Sequence, residues 1–330
     1  MSAGSGSPSS SPSSASANIV RIGTRKSALA LKQANWVRDA LIERWGPQLE
    51  IVLVELSTRG DEIQDRPLAE VGGKGLFVKQ IEEALLDGRV DLAVHSMKDL
   101  PARVPDGLSI ACTPEREDPR DAVIIGAGEG RLTRLPRGSR LGTSSLRRAA
   151  LARRLNGGLE IVPIRGNVET RLRKLDQGEV DAVVLAAAGL KRLGLTDRIT
   201  EYLETERFCP ACCQGILALE IREDDNALRA LLAPLDHAAT RVAATAERAF
   251  LARLDGGCQI PLGCYAELRA EDVLTANGVV ADPSGRPCFI VTKAGKPDKA
   301  QGIGEALAET LLRLGAGRVI DRLVHPPKVA

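Results

Sequence analysis

Aromatic residues are scarce: 4 Phe, 2 Trp and 2 Tyr make up 2% of the 330 residues. Few platforms therefore exist on which single-stranded bases could stack. Charge of either sign is also missing in excess. The 45 Lys and Arg against 43 Asp and Glu leave +2, so no bulk cationic field draws the chain to nucleic acid or to a membrane surface. No nucleic-acid partner is expected, and any cationic site must come from placement. No apolar run approaches the roughly 20 residues that cross a bilayer, so no membrane partner is expected either. Histidine is sparse and scattered (His95, His237, His325), and Cys209-x-x-Cys212-Cys213 has no second pair at zinc-site spacing, so no metal is expected. Residues 1–18 are almost all Ser, Ala, Gly and Pro. They lack the basic start and apolar centre of a secretory signal and the arginines of a transit peptide, and read as a disordered tail. Seven cysteines, an odd number with no export signal, are expected as reduced thiols in the cytoplasm.

What is present is alternation. A hydrophobic content of 44% is ample for two or three domains with sizeable cores. Short buried strands are predicted at 51–56, 91–95, 121–125, 160–164 and 180–186. Amphipathic helical patterns lie at 28–45, 76–86, 145–155 and 168–175. The alternation predicts an α/β fold with parallel sheets flanked by helices. Pro101, Pro105, Pro114 and Pro119 mark one crossing between lobes, and 209–215 marks a second, after which 216–221 again reads as a strand. Two crossings imply two lobes with a cleft between them, a common ligand site. From Asp236 a long helix (238–254), short strands and a last helix (302–314) predict a small α+β domain.

Chemistry concentrates at element ends. Asp99 lies in His95-Ser96-Met97-Lys98-Asp99-Leu100-Pro101, at the carboxyl end of a predicted buried strand, where open α/β proteins place their sites. Ser27, following Arg25, and Ser145, preceding Arg147 and Arg148, stand in N-cap positions. Hydroxyls, free backbone N–H groups and arginines at a helix start make a carboxylate or phosphate site. Arg165 follows another strand end, and Lys191-Arg192 a further one. Arg153, Arg154 and Arg173 read instead as solvated helix charges. Gly72-Gly73-Lys74-Gly75 is not a phosphate loop, because the earlier glycine and the following hydroxyl are absent; it reads as a glycine hinge carrying one lysine. His95 reads as a satisfied histidine at a strand end. Cys112 and Cys288 sit in strand-like surroundings and read as packing residues. Cys258, in Gly256-Gly257-Cys258, reads as an accessible thiol, nucleophile or attachment point, with Cys264 as its competitor. One acid, one thiol and many cations suggest an enzyme that handles a polyanion covalently. A noncatalytic small-anion binding protein or a DNA-binding regulator with the same shell are the alternatives. The first leaves Cys258 and the third domain unexplained, and the second needs a helix-turn-helix that nothing before Ile19 supplies.

Arg21-Ile-Gly-Thr-Arg-Lys-Ser-Ala-Leu-Ala, Val71-Gly-Gly-Lys-Gly-Leu-Phe, His95-Ser-Met-Lys-Asp-Leu-Pro, Gly142-Thr-Ser-Ser-Leu-Arg-Arg, Arg165-Gly-Asn-Val, Ala188-Gly-Leu-Lys-Arg-Leu and Gly256-Gly-Cys-Gln-Ile-Pro-Leu-Gly occur in this order. In these runs the chain resembles the porphobilinogen deaminase (hydroxymethylbilane synthase) family from Ile19 to about Leu323. The resemblance implies two lobes like the type II periplasmic binding proteins plus a small α+β domain. Domain 1 would comprise 19–115 and 216–234, domain 2 residues 116–215, and domain 3 residues 235–330. It also implies a monomeric cytoplasmic transferase of tetrapyrrole biosynthesis, with a dipyrromethane cofactor held through a thioether to Cys258. Four porphobilinogen molecules would be deaminated and joined head to tail, and hydroxymethylbilane released. By the same match Asp99 is the catalytic acid. Lys98, Ser96, Thr143, Ser145, Arg147, Arg148 and Arg171 would hold the cofactor, and Arg25, Ser27, Arg165, Arg192 and Lys74 the incoming substrate. Cys212 and Cys213 depart from the small residues the family usually carries before Gln214-Gly215.

Overall fold

The computed structural model describes residues 19–57, 78–127, 130–254, 260–269 and 272–324. Lys74 and Cys258 lie outside the described residues. The chain opens with β1 (Ile19–Arg25) and α1 (Ala28–Trp45), whose N-cap Ser27 accepts a hydrogen bond from the Ala30 amide at 3.3 Å. β2 (Glu50–Leu56), α2 (Lys79–Leu86), β3 (Leu92–Ser96) and β4 (Leu108–Cys112) follow, and a 3₁₀ turn, Met97–Asp99, directly extends β3. The chain then crosses into a second sheet. Its elements are β5 (Asp121–Ile125), β6 (Arg140–Gly142), α3 (Leu146–Leu155), β7 (Glu160–Val162), α4 (Val168–Asp176), β8 (Ala182–Ala186), α5 (Ala187–Arg192) and β9 (Glu201–Leu203). It returns as β10 (Leu217–Arg222) and α6 (Asn226–Leu232). Last come α7 (Ala238–Arg253), β11 (Leu262–Arg269), β12 (Val273–Ala281), β13 (Cys288–Gly295), α8 (Ala300–Leu311) and α9 (Gly317–Val324).

The first two sheets repeat one pattern, β2-β1-β3-β10-β4 and β7-β6-β8-β5-β9. In each, one strand runs against its neighbours: β10 against β3 and β4, β5 against β8 and β9. The sheets are therefore mixed, not parallel as the alternation predicts. The antiparallel strand is in both cases the one that enters straight from the other lobe, so no βαβ crossover constrains its direction. Buried on both faces, β5 and β10 read in sequence like any parallel core strand.

Each sheet has its own core. Ile22, Leu41, Leu92, Leu219 and Ile221 are fully buried in the first, and each contributes about 1.5–3 kcal/mol by leaving water. Ile124 and Val183 fill one side of the second sheet and Leu141 and Leu151 the other. The third sheet, β11-β12-β13, is an antiparallel meander covered by α7 and α8 around Phe250, Leu307 and Leu311. Gly304 lets those helices touch backbone to backbone, since a Cβ there would collide with the Ala246 carbonyl. Arg153, read as a solvated charge, instead donates to the Pro283 carbonyl at 2.8 Å and ties α3 to the third sheet.

Candidate active site

Asp99 is exposed at the end of the turn that prolongs β3. The residues around it are held from behind. Ser96 Oγ accepts from Gln33 Nε2 at 2.9 Å, and Gln33 lies on the buried face of α1. His95 Nε2 lies 3.0 Å from Glu220 Oε2 in the floor of the sheet, the satisfied strand-end histidine expected from the sequence. Lys98 is half-buried and donates from Nζ to Gln214 Oε1 at 3.3 Å.

From the second lobe, Thr143 follows β6 and its Oγ1 accepts from the Ser145 amide at 3.2 Å. Ser145 caps α3 and accepts from the Arg148 amide at 3.4 Å, which sets the arginine pair at the helix start. Both arginines converge on Asp121, a fully buried carboxylate that sequence reasoning missed. Arg147 Nη1 is 2.7 Å and Arg148 Nη2 2.8 Å from it. Arg147 Nη1 also donates to the Cys209 carbonyl at 2.7 Å. Gln214 Nε2 donates to Asp121 Oδ1 at 3.1 Å, completing a chain from Lys98 through Gln214 and Asp121 to Arg147 and Arg148. The chain joins the two lobes through the returning crossing segment.

The electrostatics are those of crowded cations. Burial alone would raise the Asp121 carboxyl, but the Arg147 and Arg148 guanidiniums hold it well below the usual range. Burial, then repulsion from Arg148, pulls the Lys98 ammonium down to about 8, against the attraction of Asp99 and Asp121. Burial, then Arg148 and Arg165, pulls Arg171 down to about 10. Burial does the same to Arg192, lowered to about 10 against the attraction of Glu117. Among the described residues Arg165 Nη1 is buried with no hydrogen-bond partner. Lys98, Asp99, Arg148, Arg165 and Arg171 thus share one electrostatic neighbourhood. Arg192 sits at its edge, donating to the Gly215 carbonyl at 2.8 Å. Leu29, at the start of α1, lies against Gly189 of α5, so the helix capped by Ser27 packs on the helix that carries Arg192.

The described cysteines separate cleanly from this chemistry. Cys112 is fully buried in β4, and Cys288 is half-buried in β13. Cys209, Cys212, Cys213 and Cys264 are buried together, and burial is the first cause raising each thiol, Cys209 up to about 12. Thiols so placed stay protonated and inert, which removes Cys264 as a competitor for attachment. Among the described residues no group of three or more His, Cys, Asp or Glu is arranged to hold a metal.

The fold is that of a two-lobed α/β protein with a small third sheet, and its crossing segments gather cations round one exposed acid. The chain matches the family model for the dipyromethane cofactor binding domain of porphobilinogen deaminase over residues 20–230, and that for its C-terminal domain over 241–313. It is 53% identical over 312 residues to the porphobilinogen deaminase of Syntrophotalea carbinolica, covering 94% of this chain and 98% of that one. It is 50% identical over 305 residues to that of Syntrophobacter fumaroxidans, covering 92% and 98%. The chain belongs to the porphobilinogen deaminase family, transferases of tetrapyrrole biosynthesis that work with a dipyrromethane cofactor. Among solved structures it is similar to the periplasmic aliphatic sulphonate binding protein of Escherichia coli (TM-score 0.37, 18% identity, 72% of this chain and 70% of that one). It is also similar to a probable amino-acid transporter binding protein of Bacillus subtilis (TM-score 0.39, 12% identity, 67% and 90%). No described helix is long and apolar enough to cross a membrane.

The cleft residues fit a dipyrromethane, whose two pyrroles each carry an acetate and a propionate. Its carboxylates would relieve the like-charge crowding at Lys98 and Arg171, and those of an incoming pyrrole would supply the partner that Arg165 Nη1 lacks among the described residues.

Proposed function

We propose that Asp99 and the cation cluster around it carry out the deamination and head-to-tail joining of four porphobilinogen molecules, with hydroxymethylbilane as product. The dipyrromethane, when bound, supplies the pyrrole α-carbon at which growth of the chain begins. Cys258 holds it, and Ser96, Lys98, Thr143, Ser145, Arg148 and Arg171 bind its polar groups. Arg147, with Nη1 used on Asp121 and the Cys209 carbonyl, contributes its field and keeps Asp121 charged. Arg25, Ser27, Arg165, Arg192 and Lys74 receive the carboxylates of incoming porphobilinogen.

Among the described residues Asp99 is the exposed carboxylate of this neighbourhood. It accepts hydrogen bonds from pyrrole N–H groups and stabilises the positive charge that develops on the substrate ring as its C–N bond breaks and ammonia leaves. It also moves the protons that accompany each addition. Lys98 and Arg148 beside it draw carboxylates away from the acid. The protein acts as a cytoplasmic monomer without nucleic acid, in keeping with its near-neutral charge and few aromatics. Three separate sheets support its division into domain 1 (19–115 and 216–234), domain 2 (116–215) and domain 3 (235–330).

The observation that carries this reading is the clustering of Lys98, Arg148, Arg165 and Arg171 round an exposed acid at a strand end. Asp99→Ala tests it. Turnover of porphobilinogen is expected to fall by about 10²–10⁴-fold, while the melting temperature and the covalent cofactor are retained, because the side chain is exposed. Wild-type turnover in that variant would overturn the assignment.

A further inference from the structure

A cavity lined by Met97 lies beside the Asp99 turn. It is a groove of about 570 Å³ between the first lobe and the third domain, a volume suited to a small organic ligand. One wall is a single stripe of α7: Arg241, Ala244, Thr245, Arg248, Ala249 and Ala252, spaced three and four residues apart along one face. A face meant only to pack would bury larger apolar side chains, and a solvated face would mix both signs of charge. Here small residues alternate with arginines and leave a channel. Arg103 and Arg253 add two more cations to the lining, and among the described residues Glu305 is its one carboxylate, engaged by Gln301 Nε2 at 2.8 Å.

The arginines are not equally matched. Arg241 holds Asp236 at 2.6 Å and Arg253 holds Glu309 at 3.4 Å. Arg248 donates to the neutral carbonyls of Pro101 and Ala102 at 3.0 and 2.9 Å, which leaves its charge uncompensated. Arg103 is exposed and makes no ion pair or hydrogen bond among the described residues. Two cations without carboxylate partners above an alanine-lined floor recognise a flat, apolar body that carries carboxylates.

The groove also touches the active turn. Met97, first residue of the turn that holds Lys98 and Asp99, lines it, and Arg248 grips the carbonyls that follow the turn. We propose that this groove is a regulatory site for a small aromatic or heteroaromatic acid with two or more carboxylates, whose binding biases the Asp99 turn from behind. The site is separate from the cleft, and the proposal holds whether or not the assignment of Asp99 does. A ligand that prefers one arrangement of the turn must change substrate handling reciprocally.

The test uses holoenzyme and benzene-1,3,5-tricarboxylate as the probe, with binding measured calorimetrically and inhibition measured against porphobilinogen. Two variants modify the groove: Arg103→Glu, an exposed change that leaves the fold alone, and Ala249→Tyr, which fills the channel. Without probe both variants are expected to keep wild-type kcat and KM within about twofold. With probe, the wild type is expected to show inhibition that porphobilinogen does not relieve, and both variants to bind the probe at least tenfold more weakly at that site. Purely competitive inhibition of equal strength in all three proteins would mean that the tricarboxylate occupies only the cleft, and would overturn the proposal. So would absence of binding at millimolar probe. If Ala249→Tyr alone misfolds, the Arg103→Glu comparison decides.

Discussion

Asp121→Asn removes one negative charge from a deeply buried polar cluster while keeping the shape of the side chain. Asp121 is fully buried, and it is the carboxylate that answers Arg147 and Arg148, which are themselves only 5% and 7% exposed. Breaking a buried pair by neutralising one partner leaves uncompensated charge and costs about 3–5 kcal/mol. For a chain of this length, with unfolding entropy near 2 cal/mol/K per residue, that is a fall in melting temperature of roughly 4–7 °C. The loss is expected in cofactor-free protein. In holoprotein it should be smaller, because carboxylates bound at Arg148 and Lys98 replace part of the missing charge. The assay is a thermal melt of wild type and variant, each with and without cofactor, at one pH and salt concentration. A shift below about 1 °C without cofactor would refute the claim that Asp121 is the counter-ion that makes the arginine pair affordable to bury.

Two further predictions rest on single residues. In cofactor-free protein the Lys98 ammonium, lowered from 10.5 to about 8, makes the charged form unfavourable in the fold by about 3 kcal/mol at pH 7. Between pH 8 and 10.5 the unfolded chain holds more protons than the folded one, so the stability linked to this residue rises with pH across that window. Lys98→Met is therefore expected to be more stable than wild type at pH 7, by a margin that shrinks by pH 9.5; denaturant unfolding with an equal margin at both values would contradict the lowered pKa. Gly215 has φ +91° and a Cβ there would run into the Glu117 carbonyl, so Gly215→Ala is expected to destabilise by at least about 1 kcal/mol and to weaken substrate binding through Arg192, which donates to Gly215. An unchanged melting temperature and KM in that variant would count against the packing described at this crossing.

Much of the site was legible because its residues stand at boundaries that sequence marks. The buried run before His95 announces a strand, so Asp99 reads as a residue at a strand end. Ser27 and Ser145 read as caps because a hydroxyl precedes a helical run, and both cap their helices. Strand direction was not legible. β5 and β10 carry the same buried pattern as parallel strands, and their reversal follows from where the chain comes from. Asp121 and Gln214 escaped notice because each acts through partners 26 or more residues away in sequence. A signal did exist for Asp121: a lone acid opening the wholly apolar run Ala122-Val123-Ile124-Ile125 has no solvated face to occupy and must meet a buried cation. The Cys209, Cys212, Cys213 and Cys264 group shows the opposite case. Spacing that resembles half a metal site is here a set of packed thiols, held neutral by burial.

The most direct test of the central claim is the intact mass of purified protein beside a Cys258→Ser variant, both measured before and after incubation with porphobilinogen. The account predicts a wild-type mass in excess by one dipyrromethane and a variant at its unmodified mass under both conditions. Wild-type protein that remains unmodified after incubation, or a variant that carries the same excess, would contradict it.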